Sequence, residues 1–325
     1  MAQATISGVI DQAYYMQSTT TAGVKSTIKG IGAQNNGTSE FTIAGSEDLG
    51  SGMKASFAFN VQAAIDTTAA GPVMRRSYVG LDGGFGSVKL GNQWTPNFFI
   101  VLASDPTVLV ATNGAGVVGA SKSVGVSSSS ITYELPSMMS GLSVKLQRGQ
   151  GSETTASTAG QNTGMSATYA SGPLTVAYGT QKLTASAAET FTTAGTGQDL
   201  VPTTALVGGT DVIKSTAYLA SYDLGLATVI LGGTKDKVNA STAKTSGSSV
   251  GVSIPLSAAT RLGIISSSAN STDDAGTDYK EKATRYAVFH SLSKRTQVYA
   301  FTGKTSLSGG LEAIGMTAFG IQHAF

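Results

Sequence analysis

The sequence of 325 residues predicts an all-β fold: a sixteen-stranded antiparallel transmembrane β-barrel that takes up residues 1–325 as a single domain. Three observations indicate this class. Only 12% of the residues are charged, 41 are glycine, and no run of 18 apolar residues is present to form a transmembrane helix. Turn signals divide the chain into alternating stretches of about ten residues, the length that a tilted strand needs to cross a bilayer. The last of these stretches ends on Phe325 and alternates throughout.

The alternating stretches predict an even number of strands, which places both chain ends at one rim of the barrel. The first eight are Thr5–Tyr15, Ser39–Asp48, Gly52–Ala64, Val73–Leu81, Gly86–Gln93, Val126–Leu135, Gly141–Gly149 and Thr163–Ala170. The other eight are Pro173–Lys182, Val212–Tyr222, Gly225–Lys235, Ser248–Ile254, Ala259–Ser267, Lys282–Leu292, Thr296–Lys304 and Leu311–Phe325. Because a terminal strand must pair with something, Leu311–Phe325 is expected to close the barrel against Thr5–Tyr15.

The connections between these strands alternate in length. Those after even-numbered strands are tight, whereas those after odd-numbered strands are long and rich in Ser, Thr and Gly. Examples of the long class are Gln17–Thr38, Leu183–Asp211 and Ala269–Glu281. Short periplasmic turns with long extracellular loops are typical of bacterial outer-membrane barrels. A Ser/Thr-rich solenoid would instead repeat its sequence at a fixed period, and the sequence has no such repeat.

Residue parity within a strand predicts which face meets lipid. In Gly52–Ala64, one face carries Phe57 and Phe59, and the other carries Lys54 and Asn60. An apolar outer face and a polar inner face place water inside the barrel. Sixteen strands enclose more space than side chains can fill, so a channel is expected to remain.

One connection differs from the others in its composition. Trp94–Gly125 contains the only tryptophan of the chain and a run of apolar residues from Phe98 to Leu102. A solvated surface loop does not need such residues. We therefore predict that the connection folds into the barrel, packs against its wall and narrows the pore. A loop that covers a subunit interface is the alternative, and both roles are compatible.

Several segments resemble one family of proteins. They are ISGVID (Ile6–Asp11), GSEDLGSGMKASF (Gly45–Phe57), RRSYVGLDGGFGSVKLGNQWTP (Arg75–Pro96), HSLSKRTQVY (His290–Tyr299) and the closing GIQHAF (Gly320–Phe325). Together they resemble the trimeric, sixteen-stranded general porins of Gram-negative outer membranes, of the type common in β-proteobacteria. The resemblance implies a homotrimer surrounded by outer-membrane lipid and lipopolysaccharide. It also implies passive diffusion of small hydrophilic solutes and ions, and a terminal Phe325 that the barrel-assembly machinery recognises.

The resemblance further implies a constriction at which an acid of the inserted loop faces arginines of the wall. The matching residues are Asp105 on the loop and Arg75 with Arg76 on the wall. Strict alternation lets only one of these arginines point inward unless a bulge intervenes. The phase of the strand favours Arg76 and the resemblance favours Arg75, so both remain candidates.

The chain departs from the family at other wall positions. Glu40 stands where relatives often carry arginine, and Asn60 stands where an acid is common. Lys54 and Lys89 lie on the predicted inner face. Since selectivity in a wide, wet pore depends on clusters of like charge, this mixture predicts a weak anion preference or near neutrality.

Catalytic and metal-binding functions find little support. Neither His290 nor His323 has a partner that would make it a base, and no phosphate-binding loop or metal-ligand spacing is present. Asp273, Asp274 and Asp278 match no EF-hand pattern, so a solvated acidic loop is favoured over a calcium site.

The sequence thus predicts no enzyme, no cofactor and no metal, and a net charge of +2 gives no sign of nucleic-acid binding. Two alternatives to a general channel remain. One is a solute-specific channel, for example for organic acids. The other is a surface adhesin or structural barrel with a closed lumen.

Overall fold

The structure is a computed structural model that describes residues 3–21, 23–33, 37–62, 73–107, 125–151, 160–185, 190–192, 203–205, 212–239, 241–308 and 312–325. The strands of the first half are β1 (Gln3–Thr21), β2 (Val24–Ala33), β3 (Glu40–Gly50), β4 (Met53–Gln62), β5 (Val73–Gly83), β6 (Gly86–Trp94), β7 (Val126–Glu134), β8 (Leu142–Gly149) and β9 (Asn162–Ser171). The helix α1 (Pro96–Ala103) lies between β6 and β7.

The strands of the second half are β10 (Leu174–Thr184), β11 (Thr190–Thr192), β12 (Thr203–Ala205), β13 (Val212–Asp223), β14 (Thr228–Val238), β15 (Lys244–Pro255), β16 (Thr260–Thr272), β17 (Asp278–Ser291), β18 (Thr296–Leu307) and β19 (Glu312–Ala324). β10 pairs with β13, and from β13 to β19 each strand pairs with the next, always antiparallel. In chain order, β11 and β12 lie between β10 and β13, and they form a separate two-stranded sheet.

The barrel closes between its first and last strands. β1 pairs with β19 from Val9 opposite Ala324 to Thr21 opposite Glu312. The other edge of β1 pairs with β3 along its first part and with β2 along its second part, so β2 and β3 share one position in the wall. The described strands therefore occupy sixteen positions, which confirms the predicted fold class and its closing pair.

The predicted strand ends were too early at the long-loop rim. Most of Gln17–Thr38 forms the end of β1 and the whole of β2, and most of Ala269–Glu281 belongs to β16 and β17. The predicted ends Ala64 and Leu311 lie outside the described residues, as does most of Leu183–Asp211. The strands continue past the apolar band with alternating Ser and Thr, which still make ladder hydrogen bonds. Their polarity alone had indicated loops.

The two faces of the wall differ as the parity predicts. Phe57 and Phe59 on the outer face of β4 are 37% and 47% exposed, while Asn60 on the inner face is 2% exposed.

No helix among the described residues is long and apolar enough to span a membrane.

Candidate functional site

The chain turns into the barrel where β6 ends. The Thr95 backbone N–H donates to the Gly125 carbonyl (2.8 Å), and the Gly125 N–H donates to Thr95 Oγ1 (3.2 Å). The two ends of the connection therefore meet at one point of the wall. Pro96 opens α1, where its missing N–H leaves no intrahelical bond unmade. The helix therefore begins immediately after Thr95, where the two ends of the connection meet.

Apolar side chains hold α1 against the far wall of the barrel. Ile100 and Val101 are each 3% exposed and share one buried cluster with inward side chains of three strands. These are Ala177 of β10, Ala217 and Leu219 of β13, and Ile230 of β14. The contact confirms that the apolar connection folds into the lumen, as far as residue 107. Residues 108–124 of the predicted segment lie outside the described part of the chain.

A row of wall glycines provides the space for this segment, and we call it the glycine seat. A Cβ added to Gly179 would lie 2.3 Å from Asn97 Oδ1, and one added to Gly251 would lie 2.7 Å from Pro106 Cδ. Real Cβ atoms do not approach other atoms so closely, so the segment lies directly on the backbone of the wall. The seat consists of Gly164, Gly179, Gly232, Gly251 and Gly263, on β9, β10, β14, β15 and β16.

The end of the inserted segment is fixed by charge. Asp105 is 3% exposed, and its Oδ1 accepts a hydrogen bond from the Thr107 N–H (2.8 Å). Arg261 donates to the Pro106 carbonyl. Arg261 and Arg285, which project inward from β16 and β17, both interact electrostatically with Asp105. The resemblance placed this acid opposite Arg75 and Arg76, whereas its charged neighbours are two arginines of the other wall.

Arg75 belongs to a second charged contact. Its Nη1 lies 3.0 Å from Glu40 Oε2, and its guanidinium lies 4.6 Å from the centre of the Trp94 ring. Trp94 in turn stacks on Phe98 of α1, with ring centres 4.0 Å apart. The pair Arg75–Glu40 is thus linked through an aromatic stack to the inserted helix.

A bulge explains how Arg75 reaches the lumen. The register between β4 and β5 shifts between Phe59 and Val61, where β5 contains one extra residue. Simple alternation is therefore interrupted at Arg75–Arg76, and Arg75 meets Glu40 on the inner face. Arg76 keeps the parity of the inward strand positions below it, and its buried Nε has no partner among the described residues.

Asn60 faces the lumen from the neighbouring strand. Its Nδ2 donates to Thr42 Oγ1 over 2.7 Å, and it is 2% exposed. The side chain is therefore committed to the wall and carries no charge into the pore.

The two predicted lysines lie in a network of acids and bases in the short-turn half of the lumen. Lys54 is paired across the strands with Asp82. Lys89 Nζ lies 3.7 Å from Glu134 Oε1, and Lys145 Nζ lies 3.1 Å from the same oxygen. The structure thus brings Lys54 and Lys89 together with acids and sets them apart from the contacts of Asp105.

The acidic loop at the other rim uses its carboxylates internally. Asp273 Oδ1 accepts from the Thr277 N–H (2.8 Å), which lowers the pKa of Asp273, and its Oδ2 accepts from the Tyr279 hydroxyl (3.0 Å). Asp274 and Asp278 each accept from a hydroxyl group of a neighbouring strand or loop. Among the described residues, no group of three metal-ligating side chains is assembled here or elsewhere.

With this geometry established, comparison with known proteins identifies the family. The family model of Gram-negative porins matches residues 1–310. The chain belongs to the Gram-negative porin family. A search of curated proteins found no match.

Solved structures share the fold of this porin. An anion-selective porin from Comamonas acidovorans has 23% sequence identity and a TM-score of 0.80, with 100% of each chain covered. OmpT of Vibrio cholerae in its trimer form has 13% identity and a TM-score of 0.73, covering 100% of this chain and 99% of that one. OmpF of Salmonella typhi in complex with daunomycin has 13% identity and a TM-score of 0.68, covering 98% and 97%.

Family and fold together show where the porin is located and what it does. It is an integral β-barrel of the Gram-negative outer membrane and forms a channel for small solutes, not an enzyme. The inserted segment, lying against the inner wall between β9 and β16, is the part of the described structure that narrows this channel.

Sequence reasoning missed several charged residues of the porin's lumen. Arg261, Arg285 and Glu281 all face inward, and Glu281 is 2% exposed. The signal was available, because these residues have inward parity on two consecutive strands. It was obscured because Lys280 and Lys282 alternate with Glu281, so that strand has charges on both faces.

Phe325 lies at the seam of the barrel. Its N–H donates to the Gly8 carbonyl (3.0 Å), and the Gly8 N–H donates back to the Phe325 carbonyl (3.1 Å). The ring covers Gly8 on the outer face, where a Cβ would be 2.3 Å from Phe325 Cζ, and the residue remains 45% exposed. The terminal residue therefore completes the seam and leaves an aromatic surface at the short-turn rim.

Proposed function

We propose that this porin, acting as one domain over residues 1–325, lets small hydrophilic solutes and ions diffuse passively with weak anion preference or near neutrality. One observation carries the proposal: acids and bases are interspersed along the described lumenal wall and the inserted segment, so that neighbouring charges are mostly of opposite sign. The bases are Lys54, Arg75, Arg76, Lys89, Lys145, Arg261 and Arg285, and the acids are Asp11, Glu40, Asp48, Asp82, Asp105, Glu134, Asp223, Asp236 and Glu281.

Pairing matters more than number in a wide, wet pore. Two charges at 4 Å interact by only about 1 kcal/mol in a water-like dielectric, so a strong field needs several aligned like charges. Here Glu40 lies against Arg75, and Glu134 lies between Lys89 and Lys145. Neighbouring opposite charges cancel most of each other's field, which supports a weak net preference.

Within the constriction we assign roles to the candidate residues. Arg75 and Arg76 supply positive charge on one wall, and Glu40 offsets it. Asp105 anchors the inserted segment and offsets the field of the positive charges on Arg261 and Arg285. Asn60 contributes a neutral wall position in place of an acid. Lys54 and Lys89 add positive charge in the short-turn half, balanced by nearby acids.

We also propose that the porin works as a homotrimer in contact with outer-membrane lipid and lipopolysaccharide, and that it binds no nucleic acid. The trimer form of the Vibrio cholerae OmpT, which shares the fold, supports this assembly. We further propose that the barrel-assembly machinery recognises Phe325, and its exposed ring at the barrel seam supports that role.

Reversal potentials in planar bilayers test the selectivity. The purified porin is inserted, and a tenfold potassium chloride gradient is applied across the bilayer. A reversal potential near zero, displaced slightly towards the chloride potential, is expected, and one near the potassium potential would contradict the proposal. Closure of the channel in three equal conductance steps is expected if the porin is a trimer.

Conductance measured with increasing concentrations of organic acids distinguishes the two kinds of channel. It should not saturate in a general diffusion channel, whereas saturation would indicate a solute-specific channel.

A further inference from the structure

A groove on the outside of the barrel combines apolar and cationic side chains. It crosses the outer face from β7 to β13 and has a volume of about 890 Å³. Its part nearer the short-turn rim contains the apolar Leu146 and Met165, which are 41% and 46% exposed. Its other part is lined by cations, namely Arg148, Lys182 and Lys214.

The three cations are close neighbours because of the strand register. Lys182 of β10 pairs directly with Lys214 of β13. Across β9, Thr163 pairs with both Lys182 and Arg148, which places Arg148 on the same row. Directly paired residues have Cβ atoms about 5 Å apart, and like charges in that position repel each other. An anion between them would remove this repulsion.

None of these three cations forms an ion pair with a described carboxylate. Arg148 is nevertheless held in place, since Nη1 donates to Thr163 Oγ1 (2.8 Å) and Nη2 donates to Gln161 Oε1 (2.9 Å). Both acceptors are neutral, so these hydrogen bonds orient the guanidinium without neutralising its positive charge. A guanidinium has five N–H donors, which leaves others for an oxyanion.

The groove lies where a membrane lipid changes from tail to headgroup. Along β10, outward Leu174, Val176 and Tyr178 precede Lys182 towards the long-loop rim. Along β13, Tyr222 and Tyr218 precede Lys214 in the same direction. The cations therefore lie at the upper edge of the apolar band, at the level of outer-leaflet headgroups. A small free anion would contact only the cations, whereas a lipid can also cover the apolar part of the groove.

We propose that this groove binds a phosphorylated glycolipid of the outer leaflet, of the lipid A type found in lipopolysaccharide. A phosphate lies among Arg148, Lys182 and Lys214, and an acyl chain lies on Leu146 and Met165. The inference rests on the proposed contact with lipopolysaccharide and assigns it to one site of the barrel.

Native mass spectrometry of the detergent-solubilised porin with bisphosphorylated lipid A tests the site. The variant Arg148→Gln/Lys182→Gln/Lys214→Gln removes the cations. A matched control, Lys25→Gln/Lys29→Gln/Lys294→Gln, removes the same charge from the β1–β2 hairpin and from a short turn. A basic residue near an anionic surface contributes roughly fivefold in binding, so the groove variant should bind about a hundredfold more weakly. The control should bind as the wild type does.

Further binding measurements distinguish a lipid-borne phosphate from free inorganic phosphate. Dephosphorylated lipid A should bind weakly, and millimolar inorganic phosphate should not displace the intact lipid. Met165→Asn, which keeps all three cations, should also weaken binding. Equal losses in both triple variants, displacement by inorganic phosphate, or full binding of dephosphorylated lipid would each overturn the proposal.

The same preparations report on the channel independently. Because the groove is outside the lumen, single-channel conductance should be unchanged in every variant, and that measurement shows that each one is folded. A wild-type porin that conducts but binds no lipid A would refute the groove and leave the channel function intact.

Discussion

The glycine seat makes a specific prediction about the size of the pore. In Gly179→Ala, the new Cβ would lie 2.3 Å from Asn97 Oδ1 and 2.9 Å from Ile100 Cδ1. The wall strand cannot retreat, because β9 and β13 pair with both of its edges. The helix α1 must therefore move away from the wall.

The expected displacement follows from two opposing free energies. Complete burial of an Ile or Val side chain contributes about 1.5–3 kcal/mol, so Ile100 and Val101 hold α1 with about 3–6 kcal/mol. Overpacking by one carbon costs about 1–3 kcal/mol. Gly179→Ala should therefore shift α1 without releasing it. Gly179→Ala/Gly232→Ala doubles the cost to about 2–6 kcal/mol, enough to release the segment in part of the population.

Single-channel recording in planar bilayers measures this effect. We expect more frequent brief closures in Gly179→Ala, and a higher open conductance in the double variant as the segment leaves the wall. Gly84→Ala is the matched control, since its Cβ would meet no atom within 4 Å. A double variant with the conductance and noise of the wild type would refute the account of the seat.

Three further predictions concern charge and closure. Arg261→Met removes the donor to the Pro106 carbonyl and one positive charge, so brief channel closures should become more frequent and the chloride permeability of the pore should fall. Arg261→Lys keeps the charge and should retain the chloride permeability. Glu40→Gln leaves Arg75 without its acid, and the chloride-to-potassium permeability ratio should rise by up to about fivefold, the value of one charge contact in a water-like dielectric; an unchanged reversal potential would contradict this. Deletion of Phe325 should lower the folded fraction in the outer membrane, measured by heat-dependent electrophoretic mobility, whereas Phe325→Tyr should preserve it.

The sequence was sufficient to predict the architecture because the barrel depends on features that repeat with a period of two. Strand alternation predicted the sixteen positions and the pairing of the last strand with the first. The run from Phe98 to Leu102 predicted an inserted segment, because five apolar residues in a connection need a surface to cover. That surface is the buried cluster around Ile100 and Val101.

The details of the constriction could not be read from the sequence in the same way. With 41 glycines in the chain, those of the seat cannot be distinguished until the path of the inserted segment is known. The bulge at Arg75–Arg76 depends on how β5 pairs with β4, which alternation within one strand does not reveal. Arg261 meets Pro106 across more than 150 residues of sequence, a contact created only by closing the barrel.

Cysteine labelling tests most directly whether the segment after β6 lies inside the conducting lumen. The chain contains no cysteine, so Phe99→Cys introduces a single thiol. Phe99 is 46% exposed, and the lumenal Lys145 Nζ lies 5.4 Å from the centre of its ring. Leu90→Cys, 49% exposed on the outer face, is the control. A water-soluble anionic thiol reagent should lower the single-channel current stepwise in Phe99→Cys and leave Leu90→Cys unchanged. An unaltered current in Phe99→Cys would place the segment outside the lumen and contradict the structure.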